Sequence, residues 1–92
     1  MSENYELYLA NTSQFLASDL GDEIILMNLE TGDYVALNST SADIWKLAET
    51  DVSEEAIIGH LLEHYEVDKE VCKSETIVCI NEMVSKHLLL KK

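Results

Sequence analysis

His60, Leu61, Leu62, Glu63 and His64 spell H-x-x-E-H, the helical spacing at which some zinc peptidases bring two imidazoles and a carboxylate to one face. A metal centre of that kind needs a third ligand, a supporting shell and a cleft for substrate, and a chain of 92 residues has little left to build them from. Two histidines at the boundary of an amphipathic helix account for the same letters, and no metal or cofactor is expected. The thiols are the other candidates. Cys79 has no basic neighbour on its helical face, and His87 lies two turns away, so nothing would lower its pKa for nucleophilic work. Cys72 and Cys79 share a helix and stand about 10 Å apart along its axis, too far to bridge. The three glycines, at 21, 32 and 59, form no phosphate-cradling loop. The residues therefore point away from catalysis.

The elements that would carry a binding surface are clearer. From Ile24 to Leu29 the chain reads as a strand, Glu30 to Asp33 as a turn with Gly32 supplying positive φ, and Tyr34 to Leu37 as the returning strand. Asn38 or Ser39 caps a helix running to about Glu49, with Ile44, Trp45, Leu47 and Ala48 on its apolar side and Trp45 as a core anchor. Ser53 caps a second helix bearing Ile57, Ile58, Leu61, Leu62 and Tyr65, and Asp68 a third from about Lys69 to Lys86 that ends in the apolar tail Leu88, Leu89, Leu90. Before the hairpin, Tyr5 to Ala10 passes as a first strand. Asn11 to Gly21 reads as loop with a short extended piece at Phe15 and Leu16. The result is one α+β domain resembling a winged helix-turn-helix, a three-stranded antiparallel sheet followed by three helices, with residues 1–4 and 91–92 loose at its ends. Both faces of the hairpin are apolar, so one covers the helices and the other needs the N-terminal strand or a second protein.

Composition limits the partners. Eighteen acidic residues stand against 6 lysines and no arginine, a formal net charge of -12. Binding to nucleic acid relies on Lys and Arg at phosphates, which argues against a winged-helix regulator, and the second and third helices carry seven glutamates against three lysines. A basic partner is favoured, although such acidity also serves solubility alone. No apolar run approaches membrane length, no secretory signal is visible, and two unpaired cysteines fit a reduced cytoplasm.

At 100° per residue the third helix has two apolar directions, Ile77, Ile80, Val84 and Leu88 on one, and Cys72, Thr76, Cys79 and Met83 on the other. The second is small and soft, as suits the floor of a groove, since Met adapts its shape and Cys and Thr leave space. A helix buried on two sides reads the same way. If Tyr34, Val35, Ala36 and Leu37 form an outer strand, its unpaired N–H and C=O groups are a template for an extended peptide, whose alternate side chains would enter the groove. Asp33, Glu75 and Glu82 are placed to attract lysines on such a peptide, with Lys86 offsetting Glu82, though each acid could equally be a solvated surface residue.

Tyr34, Leu37, Asn38, Ile44, Trp45 and Leu47, the segment His64, Tyr65, Glu66, Val67, Asp68, and Glu75, Met83 and Leu88 occur in the order and spacing of the PqqD-like family. The resemblance covers about residues 22–90. It implies a non-catalytic domain that takes up the leader segment of a ribosomally made precursor peptide as a further antiparallel strand, laid against the third helix. The stand-alone partner proteins of lasso-peptide pathways look most similar, sharing the length, the acidity and a Cys soon after the Asp-Val-Asp-like turn. That branch implies delivery to a leader peptidase and then to a cyclase. The family name implies a second reading, a peptide chaperone for a radical SAM enzyme of cofactor biosynthesis. The chain departs from the family pattern at Glu75, more often Asp, and at His87, where a Gly is common; the third helix is expected to run on or to end without a glycine cap. A monomer and a homodimer are both compatible with the sequence.

Overall fold

The hairpin around Gly32 forms as the residues dictate, with Gly32 at φ 80°. The Asn28 side-chain oxygen accepts from the N–H groups of Glu30 (2.9 Å) and Thr31 (3.3 Å), and the Asn28 N–H donates to the Asp33 carbonyl (2.8 Å), so the turn is closed from inside. A computed structural model describes residues 7–21 and 23–92. It contains β1 (Leu7–Ala10), β2 (Phe15–Asp19), β3 (Ile24–Asn28), β4 (Tyr34–Leu37), α1 (Ser39–Leu47), β5 (Val52–Ser53), α2 (Glu54–His64), α3 (Lys69–Ser85) and β6 (Leu89–Lys91). Tyr5 and Glu6 of the expected first strand, and the loose residues expected at 1–4, lie outside the described residues.

The α+β class and the three helices are as expected, but the strands are shared out differently. Two three-stranded antiparallel sheets are present, β2-β3-β4 and β5-β1-β6. The first strand does not join the hairpin. Its place beside β3 is taken by β2, expected to be mostly loop, in a register that sets Leu16 against Met27 and Ser18 against Ile25. β1 is instead held between two short segments distant in sequence, Leu7 opposite Ser53 and Ala10 opposite Leu89. The leucine tail thus becomes a strand: Lys91 closes β6, and Lys92 donates its N–H to the Leu7 carbonyl (2.8 Å) where the sequence suggested loose residues.

All three helices begin on the caps the sequence offers. Asn38 accepts from the Ser41 N–H (2.9 Å), Ser53 from Ala56 (3.1 Å), and Asp68 from Glu70 (3.1 Å) and Val71 (3.4 Å), each satisfying donors that a helix start leaves orphaned and contributing about 1 kcal/mol. Inside, Ile24 and Leu26 of β3 meet Ile44 and Trp45 of α1, Ile57 and Leu61 of α2, Ile80 of α3 and Leu89 of β6 in one buried core. Trp45 is fully buried, the anchor expected, although its indole N–H finds no acceptor among the described residues.

The end of α3 decides between the two expectations. The helix does not run on; it ends without a glycine, and His87 itself takes the left-handed conformation, φ 65°. Its N–H donates to Val84 (3.0 Å) and the Leu88 N–H to Met83 (2.8 Å), the bond pair of a Schellman motif built without glycine. Asn11, itself buried, donates from its side-chain nitrogen to the His87 carbonyl (2.9 Å) and so ties this turn to the end of β1. The cap turns the chain sharply enough for Leu89 to enter β6.

Candidate functional site

The site is built on the alternation of an antiparallel ladder. The Asn28 N–H donates to the carbonyl of Asp33 opposite it, so the pairs Leu26–Val35 and Ile24–Leu37, two and four steps along, are hydrogen-bonded as well. Tyr34 and Ala36 then fall on the intervening, non-hydrogen-bonded pairs, opposite Met27 and Ile25. Their N–H and C=O groups point away from β3. β4 is the last strand of its sheet, so among the described residues this row of two donors and two acceptors meets no further strand.

Side chains divide the same strand into two faces. Leu37 is buried and Val35 half-buried on the core side, whereas Tyr34 and Ala36 are exposed on the outer face, Tyr34 at 70%. Beside this edge lies a groove of about 240 Å³ bordered by Val35, Ala36 and Leu37 on one side and by Cys79, Glu82 and Met83 of α3 and its C-cap Lys86 on the other. It opens into a broader depression under the start of α1, lined by Asn38, Thr40 and Ser41 together with Ser74, Glu75, Val78, Cys79 and Glu82. A smaller pocket follows, where Cys72, Glu75 and Thr76 face Thr40 and the end of α2. The expected strand and helix residues therefore do come together. Asp33 and Tyr34 are the exceptions: both lie outside all three depressions, Asp33 in the hairpin turn and Tyr34 exposed on the outer face of β4.

Burial redraws the two stripes of α3. Cys72, Thr76 and Met83, expected as an open floor, are themselves buried together with Ile80, and only edges of them line the depressions. Ile77 and Val84, expected in the core stripe, are only half-buried. The core side of the helix is thus a blend of the two directions, and Cys79 is the sulfur left at the groove surface. Its Sγ lies 3.3 Å from Ser41 Oγ, a weak hydrogen bond that pins the start of α1 to the middle of α3. Glu75 and Glu82 are exposed at the rim. The contributions of Asn38, Thr40 and Ser41 went unread in the sequence because the capping signal places a helix start without saying what it faces; Leu61, Tyr65 and Val67 went unread because α2 meets α3 only in the folded chain.

The residues that resembled a catalytic set are engaged otherwise. His60 and His64 stack with ring centroids 4.1 Å apart, and His64 Nδ1 lies 2.9 Å from the His60 carbonyl oxygen. Both belong to the end of α2 and line none of the three depressions. No helix among the described residues is long and apolar enough to cross a membrane.

A small α+β domain that keeps one antiparallel edge open above a soft helical groove belongs to the class of folds able to accept an extended chain. Over residues 23–89 the sequence matches the family described as Coenzyme PQQ synthesis protein D (PqqD), and the chain belongs to that family. Its fold is similar to that of a solved structure, TbiB1 in complex with the TbiA(beta) leader peptide, at a TM-score of 0.78 and 25% identity, over 88% of this chain and 93% of that one. No curated protein matches it in sequence.

Proposed function

We propose that this protein recognises the leader segment of a ribosomally synthesised precursor peptide, in a lasso-peptide pathway, by strand addition. The leader pairs with the outward N–H and C=O groups of Tyr34 and Ala36, and its alternate side chains settle against Cys79, Glu82 and Met83 of α3. Backbone pairing supplies affinity independent of sequence, while the groove selects side chains by shape and the acids at its rim favour lysines. The protein binds without doing chemistry, in the cytoplasm, and presents the leader to a leader peptidase and a modifying enzyme. The observation that carries this reading is the outward-facing edge of β4 directly beside the α3 groove; the relative seen with a leader peptide bound supports it.

The test is a titration of a synthetic peptide, selected from a random library for binding to the native chain, into the native protein and into Cys79→Trp. The indole fills the groove, so binding is expected to fall at least about a hundredfold while the circular dichroism spectrum stays native. Unchanged binding to a folded Cys79→Trp would place the peptide elsewhere. The second reading, a chaperone for a radical enzyme, is favoured by the family's description and differs in the enzyme that co-purifies with the loaded complex.

A further inference from the structure

The small pocket beyond the strand edge has chemistry of its own. It measures about 90 Å³ and is walled by Leu61 of α2, Tyr65 and Val67 of the connection that follows, and Cys72 and Thr76 of α3, with Thr40 and Glu75 completing the lining. Leu61, Cys72 and Thr76 are buried, whereas Val67 is exposed at its lip. Of its inner polar groups, the Tyr65 hydroxyl donates to Asp43 (2.7 Å) and Cys72 Sγ lies 3.8 Å from Thr76 Oγ1, while the Thr40 hydroxyl and the exposed Glu75 carboxylate border it on the side shared with the middle depression. A cavity with this inner lining takes apolar groups, and one well under the ~150 Å³ that holds a benzene ring is sized for an aliphatic side chain.

Its place in the fold says where on the peptide that side chain sits. Thr40 and Glu75 border both this pocket and the middle depression, which in turn shares Cys79 and Glu82 with the groove along β4, so the three form one continuous path. β4 runs from Tyr34 towards the start of α1, and Thr40 lies at that end. A peptide antiparallel to β4 therefore reaches the pocket on its N-terminal side. Along α3, the residues at the pocket and those at the groove are separated by about eight positions, roughly 12 Å of helix, which an extended chain covers in about four residues.

We infer that this pocket is a selectivity subsite for one aliphatic residue, Val, Leu or Ile, about four positions before the strand-paired segment of the bound peptide, with Glu75 at its rim favouring a neighbouring lysine. The inference rests on the strand-addition reading and extends it past the strand. A phage library of random 14-residue peptides, panned on the full chain, supplies the probe. Selected peptides are expected to share an aliphatic residue at that spacing; replacing it with Gly or Trp should weaken binding about tenfold or more in fluorescence anisotropy. Thr40→Leu, made at a half-buried rim position so that the fold tolerates it, should shift the selected residue to Ala or Gly. If selected peptides are blocked by Cys79→Trp yet tolerate every residue at that position, the subsite is refuted while strand addition survives. If selected peptides bind Cys79→Trp as well as the native chain, both readings fail.

Discussion

At the scale of single residues, His87 shows how a departure from the expected letter can preserve the geometry. A left-handed backbone costs an L-residue roughly 1–2 kcal/mol, and glycine would avoid that cost while losing more freedom on folding. The expected balance for His87→Gly is a gain of about 0.5–1 kcal/mol, read as a higher urea midpoint at unchanged m-value, whereas His87→Val should lose stability because a branched Cβ crowds that conformation. Equal midpoints for all three would mean that the turn relaxes without cost. The sequence raised His87 as a missing cap but could not reveal that the Met83 and Val84 carbonyls and the Asn11 amide are enough to hold a histidine there. Cys79 was legible as a groove residue from its helical direction alone. Its partner Ser41 was not, because a contact across 38 positions leaves no local trace.

At the scale of elements, β4 has two kinds of backbone position, and proline separates them. Ala36 turns its N–H outward, so Ala36→Pro removes a donor from the open edge and none from the β3 ladder. The variant is expected to keep a native circular dichroism spectrum and to lose leader binding about tenfold or more in calorimetry. Val35→Pro removes a ladder bond and should lower the melting temperature instead. If both variants bind the leader normally, the edge is not used. The hairpin and the three helices were readable because turn glycine, caps and helical periodicity all act within a few residues. β2 was hidden by its composition, since Ser18 and Asp19 look like loop and only Phe15 faces the core. β5 and β6 were hidden for another reason: each is two or three residues long, and each exists only because β1 lies between them.

At the scale of the whole molecule, the charge of -12 makes affinity depend on salt. The groove rim carries Glu75 and Glu82 against Lys86, so Glu82→Lys should weaken a lysine-bearing leader several-fold at low ionic strength. The difference should shrink towards unity near 0.5 M NaCl, where screening acts within a few ångströms. A charge effect undiminished by salt would place Glu82 in direct, desolvated contact with the peptide. Acidity argued against phosphate-binding roles from composition alone, but which acids border the groove required the fold: Asp33, equal to the others on paper, lies in the turn.

One further property follows from β1 and β6 running antiparallel with Tyr8 opposite Lys91. The Lys92 N–H meets the Leu7 carbonyl at 2.8 Å, so the first and last described strand ends are neighbours. They belong to a different sheet from the edge at Tyr34–Leu37. The described chain is consequently entered and left at one place, so a group attached to either end would stand by the β5-β1-β6 sheet and not on the ladder that carries the open edge.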